Sequence, residues 1–164
     1  LPIIVQQFVT PPPLLATRAP SATSAVPTPA PTPFGGGGTV AFVLRRDGAS
    51  NIYAMNLGDK RLVRLTWSVE GDRDPAFSPD GQELAFASRR DGSWGIYRLG
   101  LETGITTRMV FTTAYSAGPT WSPDGRWIAF ESYRNGNMDV YVMDRDGLNA
   151  SRLTADVSPD FSPA

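Results

Sequence analysis

A phrase of 44 residues recurs along this chain, and no other feature of the sequence restricts the fold as much. Ala41-Phe42, Ala85-Phe86 and Ala129-Phe130 are 44 residues apart, and so are Ile52-Tyr53, Ile96-Tyr97 and Val140-Tyr141. Arg64, Arg108 and Arg152 keep the same step, followed by Leu65, Met109 and Leu153. Phe77, Trp121 and Phe161 step by 44 and then 40, so a four-residue deficit falls in a loop between Leu153 and Phe161. Six prolines repeat in one phrase, as Pro75/Pro79, Pro119/Pro123 and Pro159/Pro163. A repeat of this length is a supersecondary unit that cannot bury its apolar surface alone, so the copies must stack.

Inside each copy the segments read as strands. "ELAFAS" (Glu83–Ser88), "WIAFES" (Trp127–Ser132), "GIYRL" (Gly95–Leu99) and "DVYVM" (Asp139–Met143) are short apolar runs rich in β-branched and aromatic residues. "TVAFVL" and "NIYAM" stand in their places in the first copy. Such lengths suit strands, and no segment with a helical period competes. "SPDG" (Ser78–Gly81 and Ser122–Gly125) has its residues in type I turn order. "RRDG" (Arg45–Gly48), "SRRDG" (Ser88–Gly92) and "YRNG" (Tyr133–Gly136) are Asp-Gly or Asn-Gly hairpin signals, and "DRDG" (Asp144–Gly147) is a further turn. Each copy thus holds four strands: one before SPDG, one with AF, one with IY and one with RLT. Repeated four-stranded units of this size are the pattern of a β-propeller blade. The expected class is all-β: about three four-stranded antiparallel blades in an incomplete ring, at about 39–75, 76–119 and 120–158. A fourth blade would begin at 159–164.

Residues 1–38 have a different composition. Nine of the 15 prolines lie there, with five threonines and a single charge, Arg18. Such a stretch cannot bury enough apolar surface to offset chain entropy, so it reads as a disordered Pro/Thr/Gly-rich tail. Proline makes it extended and Gly35–Gly38 adds a swivel. The favoured role is a stalk, of the kind that carries O-glycans, holding a domain off a surface. "LPIIVQQFV" has six apolar side chains, too few for a span of about 20. It reads as the outer end of a membrane anchor upstream of residue 1.

The totals exclude several function classes. Net charge is −1, against the basic face that a nucleic-acid binder needs. Cysteine and histidine are both absent, which removes disulfides, Cys-His and Ser-His-Asp arrangements, and thiolate- or imidazole-ligated metals from this chain. No catalytic, cofactor-binding or metal residue is predicted.

"PAFSPDGQELAFASRRDGSWGIYRL" and "PTWSPDGRWIAFESYRNGNMDVYVMDRDGLNASRLT" resemble the repeat of TolB-type β-propellers, a WD-repeat-like family. The resemblance covers residues 39–164 and rests on SPDG-x-x-(I/L)-A-F with a later I-Y or V-Y pair. True WD repeats carry a Gly-His pair, and this chain has no His. TolB itself carries an α/β domain where this chain has its Pro/Thr stretch. The resemblance implies a partial propeller in an exported or membrane-anchored bacterial protein, placed in the periplasm or at the cell surface.

Three groups of residues are candidates for function. Arg46, Arg90 and Arg134 recur at 44 beside turns. They read either as a rim of positive charge or as forks tying turn to turn, for instance to Asp80 or Asp124. Recurrence in every copy favours the packing role. Asp144, Asp146 and Asn149 hint at a calcium loop but lack its further ligands in register, which favours a plain turn. Trp67, Trp94 and Trp127 do not recur at equivalent places; Trp67 and Trp94 fall in loops, where recognition residues concentrate.

These readings predict a non-enzymatic module that contacts a protein, peptide or glycan through its blade loops. Two alternatives are part of the substrate-gating propeller of a prolyl-oligopeptidase-like peptidase, and the sensor ectodomain of a membrane signalling protein. The G-x-S-x-G elbow of the peptidases is not in this sequence. Three blades leave apolar end faces bare, which predicts either a longer propeller, the favoured reading, or self-association of incomplete ones. Pro159–Ser162 aligns with Pro75–Ser78, the first strand of a blade, whereas "TVAFVL" is a second strand. That phase would let a terminal strand complete a blade at the other end.

Overall fold

A computed structural model describes residues 38–164, and all of its regular elements are strands. The tail expected at 1–38 lies outside the described residues, apart from Gly38. The first sheet has order β1-β2-β3: β1 (Thr39–Arg46), β2 (Ala49–Asn56) and β3 (Leu62–Arg64). The second has order β4-β5-β6-β7: β4 (Asp72–Phe77), β5 (Glu83–Ser88), β6 (Gly95–Gly100) and β7 (Thr106–Arg108). The third repeats it with β8 (Ser116–Trp121), β9 (Trp127–Arg134), β10 (Asn137–Asp144) and β11 (Ser151–Arg152). Neighbouring strands in each sheet are antiparallel. β4 starts at Asp72 and runs through the 75/76 boundary expected from the prolines. Its ladder opens with Asp72 opposite Ser88, upstream of the Pro.

The first strands of neighbouring sheets, β4 and β8, pack together, and β4 also touches β1 and β2. Each contact between sheets holds one apolar cluster. Ile52, Leu84, Phe86, Tyr97 and Leu99 fill the first, with Ala41, Leu65, Phe77 and Leu101 against them. Ile96, Met109, Val110, Ile128, Phe130, Tyr141 and Met143 fill the second, against Trp121. The recurring Phe and Tyr of the sequence are therefore the core. Phe86–Tyr97 and Phe130–Tyr141 are cross-strand aromatic pairs, with ring centroids 6.0 and 5.9 Å apart.

The turns follow their chemistry. In both SPDG turns the Gly N–H donates to the Ser carbonyl, at 2.8 Å for Gly81 and 2.9 Å for Gly125. The Ser hydroxyl donates to the Asp carboxylate at 2.6 Å in each, and accepts the N–H of Glu83 or Trp127. Asp47-Gly48 and Asn135-Gly136 have positive φ at both residues, the geometry of two-residue type I′ hairpins. "SRRDG" differs. Residues 89–94 form a wider loop between β5 and β6, closed by the Gly92 N–H on the Arg89 carbonyl at 2.8 Å. That width lets Asp91 fold back to accept from Tyr97 and Arg108. The innermost strands repeat a β-bulge, at Arg73/Ala76 and Ala117/Thr120, where Asp74 and Gly118 have φ of 54° and 57° just before a proline.

Gly147 and Gly136 have nearly the same φ, 81° and 80°, in different surroundings. A Cβ at Gly147 would lie 2.9 Å from the Met109 carbonyl, whereas one at Gly136 meets nothing within 4 Å. Both Ala variants should pay the conformational strain, on the order of 1 kcal/mol. Gly147→Ala should lose clearly more, because the third blade would be pushed off the second. Urea midpoints of the two variants check this, and equal losses would refute the contact.

Candidate binding face

Strand direction alone divides each blade into two ends. A chain running through four antiparallel strands leaves its second-to-third turn and its connection to the next blade at one end. The SPDG turn and the third-to-fourth turn lie at the other. The first end therefore gathers Arg46, Arg90, Arg134, Trp67 and Trp94. The second gathers SPDG and the Asp144–Asn149 turn.

The SPDG end is occupied with itself. Asp80 also takes the Arg145 guanidinium, Nη2 to Oδ2 at 2.9 Å, and Arg145 Nε donates to Glu83 at 3.0 Å. Burial raises the Asp80 pKa, but Ser78, the Gln82 N–H and Arg145 outweigh it and hold the carboxyl below its ordinary value. Asp144 accepts the N–H groups of Asp146 and Leu148 at 3.1 and 2.7 Å, and the Asn149 amide at 3.0 Å, closing its own turn. Among the described residues no cluster suits a metal ion.

The arginines at the other end do not reach Asp80 or Asp124, as the sequence suggested for a fork between turns. Arg90 Nε donates to Ser88 Oγ at 2.9 Å, and Nη2 lies 3.2 Å from the buried Asp72 carboxylate. Its guanidinium covers Tyr97 at 4.8 Å. Arg134 repeats the pose, with Nε on Ser132 Oγ at 3.0 Å and the guanidinium over Tyr141 at 4.3 Å. Arg46 lies over Tyr53 at 5.6 Å. The three arginines thus brace their own hairpins, because the stacking partner is the recurring Tyr of the same blade. Of these three arginines, only Arg90 has an ion pair among the described residues.

The tryptophans separate. Trp94 is half-buried beneath Arg73 at 4.2 Å, and its carbonyl accepts the Ser116 N–H at 3.0 Å, so it joins the second and third blades. Arg73 also donates to the Tyr115 hydroxyl, which donates to Glu131 at 3.1 Å. Trp67 is 68% exposed. It stands in the β3–β4 connection, where Arg64 Nε holds the Thr66 carbonyl at 2.8 Å and the guanidinium lies 5.7 Å from the indole. The second blade repeats this arrangement. Arg108 Nε holds the Val110 carbonyl at 2.9 Å, and Phe111, 83% exposed, sits 5.9 Å from the guanidinium. Phe111 lies 44 residues after Trp67, a recurrence that the spacing of the tryptophans alone does not reveal. A cleft of about 590 Å³ adjoins Trp67, lined also by Arg64, Ser68, Arg90, Leu99 and Leu101. It brings together Trp67 and Arg90, and Ser68 Oγ is buried there without a hydrogen-bond partner among the described residues.

Comparison with known proteins decides the family. A family model, the TolB beta propeller domain, matches residues 14–164. The chain belongs to the TolB β-propeller family. The family match starts within the segment that the sequence assigned to a tail. A structure named "putative TolB" from Agrobacterium tumefaciens is 30% identical with a TM-score of 0.72, over 77% of this chain and 46% of that one. TolB from Acinetobacter baumannii is 28% identical with a TM-score of 0.67, over 75% and 32%. The chain thus spans less than half the length of either. A puromycin-hydrolysing peptidase from Mycobacterium tuberculosis shares the fold at 19% identity and a TM-score of 0.62, over 77% and 22%. A search of curated proteins found no match. Among the described residues no helix is long and apolar enough to cross a membrane.

Two measurements probe the bracing of this face. Arg90→Ala would strand the buried Asp72 and should cost about 2–3 kcal/mol, below the range for a fully buried pair because Arg90 is partly solvated. Arg134→Ala should cost only about 1 kcal/mol, for a stack and a hydrogen bond. Equal losses in urea denaturation would contradict the pairing. Burial, then the hydrogen bond to Asp91, pushes the Tyr97 hydroxyl up to about 12. An unfolded tyrosine ionises at about 10. The unfolded chain therefore loses this proton first, and the contribution, complete below about pH 10, disappears as pH rises towards about 12. Tyr97→Phe should flatten that part of the decline, and parallel stability curves for the two proteins over this range would count against it.

Proposed function

We propose that this chain is a non-enzymatic interaction module whose loop-bearing end binds a protein segment with apolar and acidic side chains. One observation carries the reading: Trp67 and Phe111 are exposed at equivalent places in consecutive blades, each with an arginine fixed beside it. Exposed aromatics on a rigid scaffold bury much apolar area on contact at little entropic cost. The Arg64 guanidinium, which has no ion pair among the described residues, favours carboxylates, whereas Arg108 is already held by Asp91. At the opposite end Arg145 is paired with Asp80 and Glu83, and Asp124 accepts from Ser122 within its own turn. Membership of the TolB propeller family and the Pro/Thr-rich stretch at 1–38 support a location outside the cytoplasm, with that stretch as a stalk.

The test is selection of random peptides on the immobilised chain, with affinities measured by calorimetry. Trp67→Ala with Phe111→Ala should weaken the selected peptides by at least about tenfold, as hot-spot aromatics do. Trp127→Ala, at the SPDG end, should leave them unchanged. Peptides indifferent to the double variant would sink the proposal.

A further inference from the structure

We propose that Arg134 anchors a carboxylate of the bound peptide, which would pair with it as Asp72 pairs with Arg90 in the second blade. This refines the reading of the loop-bearing end as a peptide-binding face. The argument is a comparison between blades. Asp72 and Ser116 are 44 residues apart, and they occupy the same site, Asp72 opposite Ser88 and Ser116 opposite Ser132. Both are fully buried. The following arginines are also equivalent: Arg90 Nε is on Ser88 Oγ, and Arg134 Nε is on Ser132 Oγ. The second blade thus has an arginine with its own carboxylate, and the third has the same arginine with a serine in the carboxylate's position. Ser116 Oγ bonds Ser132 Oγ at 2.9 Å, and Ser132 Oγ donates to the Tyr115 carbonyl at 2.9 Å. Neither hydroxyl neutralises the guanidinium.

Arg134 is nonetheless held in the receiving pose. Its Nε is tied to Ser132, its plane lies 4.3 Å from the Tyr141 centroid, and Phe130 lies at 5.9 Å. An arginine fixed by Nε and by a ring face keeps its two terminal nitrogens available for bidentate recognition of a carboxylate, with little rotamer entropy left to lose. Arg46 lacks the Nε bond and is exposed, so it is not preset in this way. The acidic groups of the same sheet have partners. Asp139, across the ladder from Ser132, takes Arg152 at 2.7 Å, and Glu131 accepts from Tyr115 and the Ser162 N–H.

The experiment is an NMR titration of the isotope-labelled chain, following arginine Nε–Hε signals. The probes are N-acetylphenylalanine, its amide, and the α-amide of N-acetylaspartate. The expected result is a saturable shift of the Arg134 signal by one or both carboxylates, with the Arg90 signal unmoved because Asp72 holds it. A response to the first acid alone assigns a peptide's C-terminal carboxylate, and a response to the aspartate amide alone assigns an acidic side chain. Ser116→Asp, which builds the second blade's pair into the third, should weaken binding by about tenfold or more, as should Arg134→Gln. Arg134→Gln decides the matter if Ser116→Asp does not fold. An unmoved Arg134 signal, equal shifts at Arg90 and Arg134, a response to the uncharged amide, or undiminished binding by Arg134→Gln would each overturn the proposal. The titration does not depend on Trp67 or Phe111, so it fails or succeeds separately from the peptide selection.

Discussion

Each blade is a thin sheet with two apolar faces, and only another sheet covers them. Phe86 and Phe130 are wholly buried because the neighbouring blade lies over them. At about 25 cal/mol per Å² of apolar area, such side chains outweigh any single polar contact between blades. The recurrence of the AF and IY pairs at the same place in each copy follows from this, since each core side chain must arrive at the same height in the stack. Polar ties then fix how one sheet sits on the next. Arg73 and Tyr115 act at one end, the Trp121 indole N–H on the Ala76 carbonyl in the middle, and Arg145 with Asp80 and Glu83 at the other end. Partly solvated pairs of this kind contribute orientation more than energy.

The two ends of the blades are used differently. At the SPDG end the two SPDG turns make the same internal hydrogen bonds, residue for residue, as a scaffold element does. At the other end the copies diverge. Trp67 becomes Phe111 and then Ala155, and Asp72 becomes Ser116. The buried acid moves from β4 in the second blade to Asp139 on β10 in the third, and its partner changes from Arg90 to Arg152. Repetition identifies what the fold needs, and departures from it identify where a partner can be told from solvent. The family match and the solved TolB structures fix the scaffold.

Most of the fold was legible in the residues. β5 has the bounds of its apolar run, and β1, β2, β6, β9 and β10 extend theirs by one to three residues. The candidate site was legible only in part. The residues place the recurring arginines beside turns and suggest Asp80 or Asp124 as examples of partners, whereas Arg90 pairs with Asp72. Antiparallel strands put SPDG at the opposite end of the blade from these arginines, a separation that counting residues does not reveal. Trp94 turned from a recognition candidate into a joint between blades for a similar reason: Arg73 and Tyr115 are distant in sequence and meet it only once the blades stack.

The sequence by itself determined the blade, because strand and turn preferences are local and the repeat states them three times. It also determined what this chain lacks, since without His or Cys whole chemistries are excluded. Only the tertiary structure decided which charges are satisfied. A guanidinium's partner is set by contacts a few ångströms long between strands distant in sequence, so Arg90 with Asp72 and Arg134 with a serine look alike until the sheets are assembled.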